Sequence, residues 1–193
     1  MQGDVREHIE AVKKAMIKSS MSGEAILVDG PEQLDDIDGI IIPGGESTTI
    51  GKLLKRTRTY DRIKQLAESG LPILGTCAGL VVLAKLGGEQ VSKTGQPLLG
   101  LVDMEVVRNA FGRQRESFEA DLHITGLGKV PFRGVFIRSP AVKMVWGNAE
   151  VISEFGGKIV GVIQGKIIAT AFHPELVPDT RLHEYFLRLC GEE

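Results

Sequence analysis

The pentapeptide Gly75-Thr76-Cys77-Ala78-Gly79 constrains this chain more than any other segment. It lies between an apolar run, Leu71-Pro72-Ile73-Leu74, and a stretch of helical character from Leu80 to Leu86. A strand that turns sharply through small residues into a helix holds its central side chain in a strained, exposed position. That is the geometry of a nucleophile elbow, here with cysteine in place of serine. Glycine on both sides suits the turn, because a Cβ at either place would collide with the neighbouring strand or helix. The helix start behind Cys77 favours a thiolate. Taken alone, the pentapeptide fits a small core cysteine at a strand end equally well.

Two further segments bear on that choice. Near the C-terminus, Ala169-Thr170-Ala171-Phe172 leads into His173-Pro174-Glu175. Residues two apart in an extended segment face the same side, so His173 and Glu175 can point toward one site while Pro174 stiffens the backbone between them. A base with an orienting carboxylate is what a cysteine nucleophile requires. Earlier in the chain, Ile40-Ile41-Ile42 followed by Pro43-Gly44-Gly45-Glu46-Ser47-Thr48-Thr49 has the pattern of a buried strand, a glycine turn and a Ser/Thr-capped helix start. Paired glycines at Gly44 and Gly45 can present backbone N–H groups to a developing oxyanion, with the N–H of Ala78 as the second donor. The same segment is compatible with an ordinary turn between a strand and a helix.

The rest of the chain alternates. Val5, Ile9, Val12 and Met16 recur at helical spacing, and strands are expected at Ala25–Val28 and Ile40–Ile42, with helices from Thr48 and over Tyr60–Ser69. This predicts an α/β fold with a mainly parallel central sheet flanked by helices. After about Gly100 the pattern changes to strands at Val102–Val107, Phe118–Leu122, Gly134–Ile137, Val151–Phe155, Ile159–Ile163 and Ile167–Phe172, so extra antiparallel strands are expected in the C-terminal half. A helix over Thr180–Cys190 closes the chain.

Composition narrows the class. With 193 residues, 42% of them hydrophobic, the chain can bury one good core, and residues 1–193 are expected to form a single domain. Lys and Arg total 23 against 25 Asp and Glu, a formal net charge of −2, which gives no basic surplus for nucleic acid or an anionic membrane. No apolar stretch reaches membrane-spanning length, and Met1 to Glu10 is too polar for a signal peptide. Two widely separated cysteines form no disulfide framework, and a reducing cytoplasmic setting suits Cys77. His8 on a polar helix face is expected to be solvated, His123 and His183 lack neighbours at metal-ligand spacing, and Cys190 is expected to pack. No metal site is expected.

The chain resembles the class I glutamine amidotransferases, and within them the glutaminase subunit family of pyridoxal 5′-phosphate synthase. Pro43-Gly44-Gly45, the Gly75–Gly79 pentapeptide and His173-Pro174-Glu175 carry the wider likeness. The narrower one rests on Gln2-Gly3-Asp4-Val5-Arg6-Glu7-His8, Gly44-Gly45-Glu46-Ser47-Thr48-Thr49, Arg108-Asn109-Ala110-Phe111-Gly112-Arg113-Gln114, Ser117-Phe118-Glu119-Ala120-Asp121 and Gly134-Val135-Phe136-Ile137-Arg138. The likeness runs from Gln2 to the C-terminal helix.

The resemblance implies a flavodoxin-like amidotransferase architecture and hydrolysis of L-glutamine to L-glutamate and ammonia by Cys77, His173 and Glu175. It places Gly45, Glu46, Ser47, Arg108, Ile137 and Arg138 around the substrate, where an arginine can fork onto a carboxylate. Arg113, Arg115 and Glu119 are candidates for a partner surface. It further implies docking on a separate (β/α)8-barrel synthase in a hetero-oligomer, with no cofactor bound by this chain. Three neighbouring readings are a glutaminase for another synthase, a DJ-1-like cysteine hydrolase and a non-catalytic binding module on the same fold, the last opposed by the intact Cys77, His173 and Glu175. The Gly-Glu-Ser-Thr-Thr and Phe-Gly-Arg-Gln strings argue against the first, and the late His-Pro-Glu argues against the second.

One departure stands out. In the family the string beginning at Gln2 follows a hydrophobic strand of the central sheet, whereas here only Met1 precedes it. The helix from Val5 is therefore expected to lack the strand that feeds it, the complete protein carrying roughly six to eight more residues that form that strand.

Overall fold

The structure is a computed structural model that describes residues 3–112 and 117–191. Three parallel strands form one end of the main sheet: β1 (Ile40–Ile42), β2 (Ile73–Thr76) and β10 (Ile167–Thr170), with β2 between the other two. Ile73 and Leu74 are fully buried, as expected for a strand covered on both faces.

The sheet continues beyond β10 through strands from the second half of the chain. β9 (Lys158–Gln164) pairs antiparallel with β10, β8 (Glu150–Phe155) and β7 (Ala141–Val145) pair with β9, and β7 pairs with β4 (Val102–Val107). A short β3 (Ala84–Leu86) runs parallel to β4 at the far edge. Thus the expected mainly parallel sheet, with antiparallel strands added from the C-terminal half, is present. A separate hairpin, β5 (Ser117–Leu122) and β6 (Phe132–Ile137), packs Phe118 and Phe136 face to face, with ring centroids 4.6 Å apart.

Helices flank the sheet. α1 (Val5–Lys18) lies against α6 (Arg181–Gly191), while α2 (Ser47–Arg56) packs on α3 (Thr59–Glu68) and on α4 (Ala78–Leu83). The helix expected over Leu80–Leu86 ends earlier. Ala84 turns extended at φ −65°, ψ 149°, and the chain enters β3, where pairing with β4 outweighs helical propensity. α5 (Gly88–Thr94) and β7 were not expected from periodicity. No helix among the described residues is long and apolar enough to cross a membrane.

The strand expected at Ala25–Val28 does not form a ladder. Those residues carry no regular structure, and Ile26 and Leu27 remain 48% and 42% exposed. Beside them opens a cavity of about 730 Å³, lined among others by Ile9 and Val12 of α1, Leu27, Ile41 beside the free edge of β1, and Phe186 of α6. A strand needs a neighbour to satisfy its amides, and among the described residues none occupies this gap.

Candidate active site

The pentapeptide forms the turn its composition dictates. β2 ends at Thr76, α4 begins at Ala78, and Cys77 between them sits at φ 49°, ψ −100°, a conformation that costs a non-glycine residue about 1–3 kcal/mol. The flanking glycines are explained by close approach. A Cβ on Gly79 would overlap the carbonyl oxygen of Ile42, and one on Gly75 would meet Leu83 and lie 2.9 Å from the Gly79 carbonyl carbon. Cys77 N–H donates to Thr170 O at 2.8 Å, which ties the turn to β10.

β10 delivers the second component. Past Thr170 the chain runs through Ala171 and Phe172 to His173, whose N–H donates to Val135 O of β6 at 2.8 Å. Phe172 is wedged against Phe132 and Phe136 of the same strand. His173 Nδ1 lies 2.7 Å from Oε1 of Glu175, which sits in a short 3₁₀ turn over Pro174–Leu176, and the imidazole also interacts with the Cys77 side chain. Burial works against charge on His173, but the hydrogen bonds to Cys77 and Glu175 outweigh it and raise its pKa to about 10. Burial pushes Glu175 upward, opposed by His173. The expected trio therefore converges.

Cys77 differs from expectation in one respect. It is 7% exposed, because the β5–β6 hairpin covers it and Ile137 O approaches Sγ at 4.0 Å. That contact brings Ile137 against the sulfur. Arg138 follows at φ 43°, exposed, while Ser139 Oγ accepts the Ile137 N–H at 3.0 Å and fixes the bend.

The glycine turn lies against the histidine. A Cβ on Gly44 would come 2.5 Å from His173 Cε1, and Gly45 at φ 137° occupies backbone space suited to glycine. Glu46 caps α2, accepting from Thr48 N–H at 3.1 Å and Thr49 N–H at 2.6 Å. Despite some burial, these bonds and the Thr49 hydroxyl lower its pKa to about 2. Arg108 reaches the same cap, donating to Glu46 Oε1 at 3.1 Å and Thr48 Oγ1 at 3.4 Å, while buried Ser47 donates to Gln96 Oε1 at 3.2 Å. Arg108, Glu46 and Ser47 thus form one cluster. Gln2, Arg113 and Arg115 lie outside the described residues, and Glu119 is exposed on β5.

Three residues were missed or misread from sequence. Asp4 Oδ2 stands 3.2 Å from His173 Nδ1, a second carboxylate on the same nitrogen. Its atom, His173 Nδ1 and a Glu175 oxygen lie within 4.8 Å of one another, but an imidazole nitrogen already bonded to Glu175 is poorly disposed to ligate an ion. His8, expected to be solvated, is 3% exposed, because its face of α1 packs on α6. His183 is fully buried opposite it. Cys190 packs near Gly39 as expected, and burial raises its thiol to about 12.

Comparison with known proteins places the chain in a family. The chain matches the model of the SNO glutamine amidotransferase family over residues 1–192. It is 50% identical over 190 residues to a protein of Pelotomaculum thermopropionicum named pyridoxal 5′-phosphate synthase subunit PdxT, covering 98% of this chain and 92% of that one. It is 52% identical over 194 residues to the protein of the same name from Aeropyrum pernix, covering 97% and 95%. A solved crystal structure of a glutamine amidotransferase superposes with a TM-score of 0.87 at 45% identity, over 99% of this chain and 96% of the other. Over nearly its whole length, then, the chain belongs to the SNO glutamine amidotransferase family.

Proposed function

We propose that this protein hydrolyses L-glutamine to L-glutamate and ammonia and supplies the ammonia to a pyridoxal 5′-phosphate synthase. The observation that carries the reading is the convergence of Cys77, on its strained turn, with His173 and Glu175. A histidine that holds its proton to about pH 10 beside a sulfur can take the thiol proton and keep the pair charged.

The thiolate of Cys77 attacks the side-chain carboxamide carbon of glutamine, and the electron pair of the C=O bond moves to oxygen. Backbone N–H groups of Ala78 and of the Gly44-Gly45 turn hold that oxyanion, each donor being worth on the order of 3 kcal/mol. As the tetrahedral species collapses, the C–N bond breaks and His173 gives its proton to the leaving nitrogen, which departs as ammonia. Water then loses a proton to His173 and adds to the γ-glutamyl thioester. The C–S bond breaks, glutamate leaves, and the thiolate is restored. Glu175 keeps the imidazole oriented throughout. Gly45, Glu46, Ser47, Arg108, Ile137 and Arg138 are assigned to the α-amino and α-carboxylate ends of the substrate, with the Arg108 guanidinium as the fork for the carboxylate.

Ammonia released into neutral water is protonated and loses its nucleophilicity, so its transfer under cover calls for a docked acceptor enzyme. That partner is a (β/α)8-barrel synthase subunit, with Arg113, Arg115 and Glu119 as candidates for the contact. A reducing compartment such as the cytoplasm suits a free thiol of this kind. Cys77→Ala tests the reading: glutamate release should vanish while the fold and the partner contact persist. Comparable release by that variant would refute the nucleophile assignment.

A further inference from the structure

Behind Glu175 lies a buried polar chain that the reaction scheme does not use. Glu175 Oε1 faces His173, but no hydrogen bond among the described residues reaches the buried Oε2. His8 Nε2 stands 3.3 Å from that oxygen and 3.1 Å from Thr76 Oγ1, adjacent to Cys77. On its other side His8 Nδ1 lies 3.2 Å from His183 Nε2, and the rings are tilted by 58°. His183 Nδ1 is buried without a hydrogen-bond partner among the described residues.

Which protons these rings carry follows from those contacts. Burial and the neighbouring histidines hold His8 well below its usual range, and burial takes His183 to about 4, so each ring is neutral at pH 7 with one N–H. The contact between the rings needs one donor and one acceptor. If His8 donated from Nδ1, its Nε2 lone pair would face the Glu175 carboxylate, and His183 would bury an N–H with no acceptor. With the proton on Nε2 of both rings, His183 donates to His8, and His8 donates to Thr76 Oγ1 while the same N–H faces Glu175 Oε2. That arrangement leaves only the His183 Nδ1 lone pair unmatched. Two misfits become one, and a buried polar atom left unmatched is costly.

We propose that His8, set in its tautomer by His183, is a positioning residue that presents Nε2–H to the second oxygen of Glu175 and so fixes the carboxylate that orients His173. The inference rests on Cys77 and His173 performing the glutamine hydrolysis described above. Held by a hydrogen bond at Oε1 and faced by an N–H dipole 3.3 Å from Oε2, the carboxylate resists rotating away from its histidine. His8 touches no reacting atom and acts through Glu175.

A double-mutant cycle in the complex with the synthase subunit tests this, because the effect of His8 should depend on Glu175. His8→Leu is expected to lower kcat about tenfold with KM for glutamine little changed, and His8→Gln, which keeps an N–H near the Nε2 place, to recover most of that loss. In a Glu175→Gln background, His8→Leu should cost less than about twofold further. A tenfold loss in both backgrounds marks a general structural effect and overturns the proposal, as does no loss in the native background. Nitrogen-15 NMR of the histidines in the unaltered protein provides a readout that no folding defect can mimic. His8 and His183 should both carry the proton on Nε2 near pH 7, and a His8 protonated on Nδ1 overturns the proposal. If Cys77→Ala retained activity, the functional reading would fall while this assignment still stood on the spectra.

Discussion

Cys77 pays for its position with backbone strain, and the surrounding glycines determine whether that strain can be held. At φ 49°, ψ −100° a side chain is disfavoured, whereas glycine adopts positive φ freely. Replacing Cys77 by Gly should therefore leave a protein about 1 kcal/mol more stable than Cys77→Ala, measured by urea unfolding, although neither hydrolyses glutamine. Equal stability would mean that the turn is unstrained. Gly79→Ala should act in the opposite sense, because its Cβ would enter the space of the Ile42 carbonyl oxygen and backbone cannot yield as a side-chain tip can. A loss of about 3 kcal/mol, with activity, is expected. Within the trio, His173→Asn should be nearly as severe as Cys77→Ala, and Glu175→Gln milder. These residues were legible in the sequence because their geometry is local: small residues around Cys77, and His173 close to Glu175 along the chain, although the pair meets through a 3₁₀ turn and not through the extended segment expected. His8 was not legible, since the partners that bury it lie 68 and 175 positions away.

At the scale of elements, the pairing of α1 with α6 places two neutral imidazoles where protons are unwelcome. Both pKa values lie below that of an unfolded histidine, so the unfolded chain binds more protons at mildly acidic pH. Their contribution to stability is complete above about pH 6.5, falls as pH drops below it, and for His183 levels off near pH 4. His173 behaves in the opposite sense: its raised pKa gives stability that is present below about pH 6.5 and is lost as pH rises toward 10. Thermal unfolding between pH 7 and pH 4.5 should show stability falling by on the order of 1 kcal/mol per pH unit for each buried histidine. A flat profile would mean that the rings are solvated. The α2 cap carries a related expectation. Glu46→Ala removes the acceptor for two helix N–H groups and releases Arg108, so it should cost about 1 kcal/mol and raise KM for glutamine. A cap at this place was legible from the string, but the expected Ser/Thr hydroxyl is replaced by the Glu46 carboxylate, which accepts both N–H groups. Ala25–Val28 was not legible: an apolar run states what a segment would bury but not whether a neighbouring strand is there to pair with it.

For the whole molecule, two consequences follow from what the sheet carries and what it leaves open. Uncoupled hydrolysis wastes glutamine, and the Gly44-Gly45 turn can flip a peptide at little steric cost. The isolated chain is therefore expected to be a poor glutaminase that the synthase activates, and full activity unchanged by the partner would contradict this. The second consequence concerns the free edge of β1. Between it and Ala25–Val28 lies the cavity of about 730 Å³, walled by apolar side chains of α1 and α6, with Ile26 and Leu27 open to water. Among the described residues its two sides are the edge of β1 away from β2 and a segment without a ladder, the two halves of a slot for a strand. An apolar segment of about six residues spans roughly 20 Å when extended. Fused ahead of Met1, it should enter the slot, pair with Ile40–Ile42, draw Ala25–Val28 into the sheet and bury Ile9, Val12 and Ile41 more completely. At about 25 cal/mol per Å² of apolar surface, less the entropy of ordering the segment, a net gain of about 3 kcal/mol is reasonable, or roughly 6–12 °C in Tm. Scanning calorimetry of the fused and unfused chains measures the gain, and hydrogen exchange locates it. The amides of Ile26, Val28 and Ile41 should become protected only in the fused chain, and unchanged Tm with unchanged exchange would show that the slot does not accept a strand.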